Sequence, residues 1–232
     1  MSLYGEAYPQ GIAREPRDLV AVPTGRHGLP ADIVASQQRE RLLAATVQMV
    51  AKRGYSGTSI DHIVKSARVG YVAFYDLFDG KEDCFLAAFD RIVEETREAL
   101  MAAAASEEEW PLKVCAALRA LLDLVVADPG RARVGLVEVQ AAGREAFAHY
   151  ERAIESAVPM LREGRKLKRE ANGFSDTLEE AILGGIAWIL HQRLVQGDLG
   201  QIEGLLTEMI EIAVAPYLGE AEARALAAGY AA

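Results

Sequence analysis

Three residues near position 60 have the side-chain types of a hydrolase active site. Ser59, Asp61 and His62 could act as nucleophile, acid and base, but they crowd one helix start and lack the strained turn that exposes a catalytic serine. Glu145 and His149 could share a helix face and bind a divalent metal, although salt bridging or solvation is far more common for such a pair. We therefore expect no catalytic residues, no metal site and no cofactor.

Residues 71–78 suit a different chemistry, because their spacing predicts a short helix with an aromatic outer face. At ~1.5 Å per residue this helix would be about 12 Å long, which matches the width of a DNA major groove. Phe74 and Phe78 are four residues apart and should point inward. The outward residues would then be Tyr71, Val72 and Tyr75, with Ala73 and Asp76 at the edges. Such a face indicates contact with another molecule.

Two preceding helices would position this face. The first is predicted over 36–53, where apolar residues recur at helical spacing and a glycine follows directly. The second opens at Thr58 or Ser59, whose hydroxyl can cap it, with Asp61 three residues after Thr58 in a capping-box arrangement. The turn after this helix ends at Gly70, which is expected to adopt backbone angles that other residues resist.

Three segments of the sequence resemble the DNA-binding domain of the TetR family of one-component bacterial repressors. They are RERLLA at Arg39–Ala44, RGYSGTSIDHI at Arg53–Ile63 and ARVGYVAFYDLFDGKE at Ala67–Glu82. Arg26–Pro30, Ala181–Leu190 and Ala215–Gly219 resemble an actinobacterial-type branch of the family. The resemblance implies a homodimeric regulator, a repressor that a small, mostly apolar effector releases from a palindromic double-stranded DNA operator.

The resemblance also implies a set of DNA contacts: Thr58, Ser59, Arg68, Tyr71, Val72, Ala73, Tyr75, Asp76 and Lys81. The family usually has Gly in place of Arg68 and Ser or Thr in place of Gly70, so the sequence departs from it at both positions. The recognition helix has no Lys or Arg, and a bidentate contact from Arg to guanine is not expected. Asp76 could accept a hydrogen bond from cytosine N4, and Val72 or Ala73 could contact thymine methyl groups.

Charge is divided unevenly along the chain. Residues 1–91 contain 11 Lys and Arg residues and 11 Asp and Glu residues, so the net charge of −9 comes from residues 92–232. A neutral domain should bind nonspecific DNA weakly, which makes paired contacts from a dimer more necessary. The sequence has no run of about 18 apolar residues and no signal-peptide pattern, so we expect a cytoplasmic protein without a membrane partner.

The rest of the chain predicts helices and no strands. Helical patterns are expected at 81–105, 110–127, 129–142, 144–171, 175–197 and 199–218, with a kink at Pro159. The predicted fold class is all-α, with an N-terminal three-helix helix-turn-helix domain followed by a larger helical domain for ligand binding and dimerisation. The expected divisions are a mobile arm 1–35, the DNA-binding domain 36–84, the second domain 85–225 and a tail 226–232.

The second domain is expected to hold both an interface and a pocket. Leu178–Gly197 is apolar on more than one face and contains two adjacent glycines, which favour close approach of another helix. The expected homodimer contacts are Leu178, Ile182, Gly185, Ile189, Leu205 and Met209. The expected effector pocket is Trp110, Cys115, Phe147, Tyr150, Trp188 and His191. Alternatively, the second domain has no small-molecule effector and only dimerises or binds a protein, or these helices form a core within one chain.

Overall fold

Residues 31–167, 175–198 and 202–231 are described by a computed structural model, and all regular elements among them are helices. The predicted all-α fold is confirmed. Residues 1–30 of the predicted arm lie outside the described residues, while helix α1 (Ala31–Gly57) already begins at Ala31 rather than at 36. At the other end, helix α12 (Glu220–Ala231) extends through residues 226–231, where we predicted a tail.

The first three helices surround a small apolar core. Gly54 interrupts α1 with a φ of 72°, so the chain bends sharply where we predicted the end of the first helix, and helices α2 (Ile60–Ala67) and α3 (Tyr71–Tyr75) follow. The buried side chains of this first core are Leu42, Leu43, Ala45, Ile63, Val64, Ala67, Val69, Phe74, Phe78, Cys84 and Ala88. The last two belong to the next helix, which therefore forms part of the helix-turn-helix domain.

Helix α4 (Lys81–Ala105) connects this domain to the rest of the molecule. Helix α4 also contributes to a second core, where Val50 of α1 packs against residues that follow α5. We call this second core the joint core. The members of the joint core are Val50, Phe85, Phe89, Ile92, Val134, Val139, Ala142 and Ala146. The predicted division after residue 84 thus falls inside a continuous helix with apolar packing on both sides.

The remaining helices complete the second domain. They are α5 (Trp110–Ala127), α6 (Pro129–Arg133), a π-helical turn (Val134–Glu138), α7 (Val139–Ala141), α8 (Arg144–Glu155), α9 (Val158–Arg162), a 3₁₀ segment (Glu163–Leu167), α10 (Leu178–Gln196) and α11 (Ile202–Leu218). The helix predicted over 144–171 is broken after Glu155, and Pro159 lies in the first turn of α9, where its missing N–H is tolerated.

A third core lies between α5, α10, α11 and α12. Its most deeply buried side chains include Cys115, Leu122, Leu190, Leu206 and Met209. Within the described ranges, no helix is long and apolar enough to cross a membrane.

Candidate nucleic-acid interface

A reciprocal cap fixes the start of α2. Ser59 is the N-cap: its Oγ accepts a hydrogen bond from the His62 amide at 3.3 Å, and His62 Nδ1 accepts one from the Ser59 amide at 3.2 Å. The capping box is therefore built by His62 and not by Asp61, because the helix is capped one residue later than the Thr58 option requires. Two of the three residues with hydrolase-like side chains are thus used to begin a helix.

The turn between α2 and α3 contains a strained residue. Arg68 adopts the left-handed conformation, with φ 54° and ψ 44°, whereas Gly70 has an ordinary φ of −75°. The expectation that Gly70 supplies the unusual angles is wrong, because α2 ends at Arg68 and the left-handed residue follows a helix end directly. For a residue with a side chain this conformation costs roughly 1 kcal/mol.

Helix α3 presents the predicted outer face, but it is shorter than the helix predicted over 71–78. It ends at Tyr75, and the Phe78 amide makes one more helical hydrogen bond, to the Phe74 carbonyl at 2.9 Å. Phe74 and Phe78 are buried, with 0% and 4% exposure, while Tyr71 and Val72 are 47% and 78% exposed.

The other two predicted edge residues differ from each other. Ala73 is half-buried against the first core, so it contributes little to the outer surface, and Asp76 is exposed. Tyr75 is 57% exposed and its ring makes an edge contact with Phe74. Among the described residues, no hydrogen-bond partner is found for the Tyr75 hydroxyl.

The Tyr71 hydroxyl belongs to a polar group that we call the surface triad, formed by Asp61, Lys65 and Tyr71. Tyr71 donates to Asp61 Oδ1 at 2.9 Å, and Lys65 Nζ lies 2.8 Å from Asp61 Oδ2. The hydrogen bond from Lys65, followed by that from Tyr71, lowers the pKa of Asp61. The hydrogen bond to Asp61 raises the pKa of Tyr71. Asp61 therefore ties α2 to α3 across the turn.

Two predicted DNA contacts have structural roles. Thr58 is 3% exposed, and its hydroxyl donates to the Gly54 carbonyl at 2.8 Å. Lys81 Nζ donates to the carbonyls of Tyr55 and Thr58, each at 3.1 Å, and lies 4.0 Å from the centre of the Tyr55 ring. The ammonium of Lys81 thus holds the bend between α1 and α2, so that its reach toward DNA is limited.

A contact that the sequence did not reveal joins this bend to the second domain. Glu138, on the π-helical turn, accepts a hydrogen bond from the Tyr55 amide at Oε2 (2.9 Å) and one from Arg133 Nε at Oε1 (3.2 Å). A Cβ at Gly54 would lie 3.2 Å from Glu138 Oε2. Only 9% of Glu138 is exposed, so the contact is shielded from water.

The six residues of the expected effector pocket lie in three places. Trp110 and Cys115 are part of the third core. Phe147 and Tyr150 lie on α8 with their ring centres 6.0 Å apart, and 42% of Phe147 is exposed. Trp188 is 61% exposed on α10 and stacks on His191, whose Nδ1 lies 3.0 Å from the Leu136 carbonyl oxygen. Of the six, Trp110 alone lines the groove described next.

A groove of about 580 Å³ opens beside Trp110. Its lining is Glu109, Trp110, Pro111, Leu167, Tyr217, Leu218 and Glu222. The Trp110 ring meets the Tyr217 ring edge-on at 4.9 Å, and its Nε1 donates to the Met160 carbonyl at 2.7 Å. A Cβ at Gly164 would lie 2.4 Å from the Trp110 ring, so glycine is required there.

Next to this groove lies an ionic group that we call the interior triad, formed by Glu179, Arg165 and Tyr217. Glu179 is 0% exposed and accepts two hydrogen bonds from Arg165, both at 2.6 Å, and one from the Tyr217 hydroxyl at 3.0 Å. The hydrogen bonds from Arg165 lower the pKa of Glu179. This triad ties α10 to the 3₁₀ segment and to α11.

The residues expected at the dimer interface differ in how deeply they are buried within one chain. Ile182, Leu205 and Met209 are buried in the third core, as in the single-chain interpretation of these helices, whereas Leu178, Gly185 and Ile189 are half-buried. The outer face of α10 instead presents Gly184, Trp188 and Val195.

His149 pairs with Asp90 on α4, with Nδ1 and Oδ1 2.6 Å apart, rather than joining Glu145 in a metal site. Within the described residues, no group of three or more His, Cys, Asp or Glu side chains could hold a metal ion.

Residues 42–88 match the family described as bacterial regulatory proteins, tetR family. An uncharacterized HTH-type transcriptional regulator in the lacX 3′ region of Lactococcus lactis subsp. lactis is 34% identical over 96 residues, which are 41% of this chain and 47% of the relative. The chain therefore spans about half the length of this curated relative.

Two solved structures share the fold over most of both chains. The fatty acid degradation regulator FadR from Bacillus halodurans has a TM-score of 0.67 at 15% identity, covering 78% of this chain and 94% of that chain. FadR from Bacillus subtilis, in complex with stearoyl-CoA, has a TM-score of 0.66 at 18% identity, covering 78% and 98%. At these identities the likeness concerns the fold alone.

Proposed function

We propose that the chain is a DNA-binding transcription regulator that acts as a repressor, as the match of residues 42–88 to the tetR family of bacterial regulatory proteins suggests. The observation that carries this proposal is the outer face of α3, where Tyr71, Val72 and Tyr75 are 47%, 78% and 57% exposed. Clustered apolar side chains of this kind mark a contact surface. Proteins of this family are DNA-binding regulators and not enzymes.

The cations around α3 suit phosphate contacts on either side of a groove. Arg68 is exposed in the turn before α3, and the guanidinium of Arg39 lies 5.5 Å from the centre of the Phe78 ring, beyond the end of α3. Phosphate contacts of this kind fix the position of a protein on DNA, and the α3 side chains would then select the site. Ser59, at the start of α2, adds an exposed hydroxyl.

Selection from a random duplex library tests this function directly. The selected duplex should bind tightly in a fluorescence anisotropy titration, lose affinity between two salt concentrations, and resist competitor DNA. Tyr75→Ala should weaken binding at least tenfold, because it removes an aromatic side chain from the contact face. Phe147→Ala removes an exposed aromatic residue of α8 and should bind normally. Failure to enrich any sequence would contradict the proposal.

We further propose a homodimer on a palindromic operator, with α10 at the two-fold axis. Trp188 and Val195 are 61% and 48% exposed, and within the described residues a Cβ at Gly184 or Gly185 would meet no atom within 4 Å outside the adjacent backbone of α10. A second copy could therefore approach the α10 backbone closely. The buried contacts predicted from the sequence would support this face from behind.

Light scattering distinguishes this face from other exposed apolar residues. Trp188→Glu should yield a monomer and weaken operator binding at least tenfold, because a dimer contacts both half-sites at once. Phe147→Glu places the same charge on an exposed residue of α8 and should remain dimeric. If the Trp188→Glu protein remains dimeric, α10 does not form the dimer interface.

For the effector, we propose a small apolar molecule that occupies the groove beside Trp110. FadR from Bacillus subtilis binds stearoyl-CoA, but Glu109 and Glu222 line this groove and would repel a phosphate-bearing ligand. The groove therefore suits a neutral or cationic apolar molecule. Binding there would change the spacing of the two recognition helices and release the operator.

Tryptophan fluorescence separates this proposal from a second domain without an effector. The chain has two Trp residues, so Trp188→Phe leaves Trp110 as the reporter of the groove. Dodecylamine or dodecanol should change its emission and lower operator affinity, whereas dodecanoate, with the same chain length, should do neither. If none of the three acts, the alternative in which the second domain only dimerises or binds a protein is favoured.

A further inference from the structure

The two exposed tyrosines of α3 differ in the state of their hydroxyl groups. The Tyr71 hydroxyl lies 2.9 Å from Asp61 Oδ1. An ionised carboxylate has no hydrogen to donate, so the hydrogen of this bond must come from Tyr71. The remaining capacity of the Tyr71 oxygen is then that of an acceptor. Tyr75 has no such partner among the described residues, and its hydrogen stays available.

Asp61 is well placed to keep this arrangement. Its second oxygen, Oδ2, is held by Lys65 Nζ at 2.8 Å, one helical turn further along α2. Asp61 also lies in the first turn of α2, where the helix dipole favours a negative charge. The hydrogen bonds from Lys65 and Tyr71 lower the pKa of Asp61, so its carboxylate is ionised at neutral pH.

On the basis of the proposed function, we propose that Asp61 is a positioning residue that makes the Tyr71 hydroxyl an acceptor toward DNA, and that Tyr71 thereby selects a base with an amino group. In the major groove, adenine N6 and cytosine N4 are donors, whereas adenine N7, guanine N7 and O6, and thymine O4 are acceptors. Phosphate oxygens are also acceptors. Tyr71 is therefore suited to an adenine or cytosine edge and poorly suited to the backbone.

Tyr75 provides the matched comparison on the same helix. Its available hydrogen suits a phosphate oxygen, which carries no sequence information. Removing the Tyr75 hydroxyl should weaken binding to all duplexes by a similar factor. Removing the Tyr71 hydroxyl should change the ranking of the duplexes.

The test measures base preference as well as affinity. A duplex is first selected from a random library with the unaltered full-length protein, and every single-base variant of it is then titrated by anisotropy with the wild-type, Tyr71→Phe, Tyr75→Phe and Asp61→Ala proteins. The wild type should favour adenine or cytosine at one position of each half-site by about five- to tenfold. Tyr71→Phe should reduce this preference below about twofold, and Tyr75→Phe should leave it unchanged.

Asp61→Ala supplies the decisive result. It frees the Tyr71 hydrogen, so the hydroxyl can donate, and guanine or thymine should gain affinity at the same position relative to cytosine, which has no acceptor on its major-groove edge. If Tyr71→Phe keeps the wild-type profile, or if Asp61→Ala only lowers affinity uniformly, the inference is overturned while the proposed function stands. If the wild type enriches no sequence, the proposed function falls and this inference falls with it. Thermal melting checks that the variants are folded.

Discussion

The molecule contains the same three-part ionic chemistry twice, once at its surface and once in its interior. The surface triad is Asp61, Lys65 and Tyr71, and the interior triad is Glu179, Arg165 and Tyr217. In each, a carboxylate on one helix receives hydrogen bonds from a cation and from a tyrosine on another element. The two differ in their access to water.

That difference decides what each triad can do. The carboxylate and ammonium of the surface triad are 42% and 74% exposed, so water screens their attraction and the pair adds little stability. Glu179 has no exposure, and its hydrogen bonds replace the water it has lost. Burial turns this chemistry into a fixed connection between helices, whereas exposure leaves it free to orient a side chain for a partner.

Breaking the interior triad should have the largest effect. Glu179→Ala removes the buried carboxylate that binds Arg165 and should lower the free energy of unfolding by about 3 kcal/mol, at the low end for a buried pair because Arg165 retains contact with water. Urea denaturation measures this. Glu180→Ala, on the exposed neighbour in the same first helical turn, controls for the helix dipole and should change stability by less than about 0.5 kcal/mol.

Removing only the tyrosine hydroxyl of each triad should have a smaller effect on stability than removing Glu179. Tyr217→Phe removes a hydrogen bond to a buried carboxylate and should lower the free energy of unfolding by about 1.5 kcal/mol. Tyr71→Phe removes the corresponding bond at the surface and should leave the unfolding midpoint unchanged. Equal losses would mean that burial does not separate the two triads.

The pH dependence of stability sharpens the same contrast. The pKa of Glu179 is lowered in the folded state, so its contribution is complete above the unfolded value of about 4.3 and is lost as the pH falls through the lower folded value. The difference in stability between the wild type and Glu179→Gln should therefore shrink below about pH 4.3. For Asp61→Asn the corresponding change should be smaller, because water screens that site. Denaturation curves at several acidic pH values measure both.

Salt dependence should show the smallest effect. Arg68→Gly removes an exposed cation at a position whose backbone suits glycine, and should reduce the slope of log affinity against log salt by about 1 per subunit. Lys65→Met should reduce it by less, because Asp61 already neutralises Lys65. If the Lys65→Met slope falls as far as that of Arg68→Gly, the surface triad does not persist on DNA.

Short-range patterns predicted the helix-turn-helix well. Helical spacing was sufficient to predict that Phe74 is buried and Tyr71 exposed. It was not sufficient to show that Lys81 binds the Tyr55 carbonyl, because those residues are distant in sequence and meet only after folding. Nor could it show which residue of the turn is left-handed, since that depends on where α2 ends.

The second domain was harder to predict for a physical reason. Glu179 and Glu180 are adjacent and chemically identical, yet only Glu179 is buried against Arg165. Helix α10 is apolar on more than one face, so periodicity could not tell the inward Ile182 from the outward Trp188. Aromatic residues on separate helices carry no signal that says whether they share a cavity.

The contact between Glu138 and the Tyr55 amide has a consequence for isotope exchange. Tyr55 follows the glycine that interrupts α1, so no regular helix protects its amide hydrogen, and a side chain from the second domain does so instead. Exchange of that hydrogen with deuterium would then follow separation of the two domains rather than fraying of a helix end. The deuterium exchange rate of the Tyr55 amide would thus report how often the joint core opens.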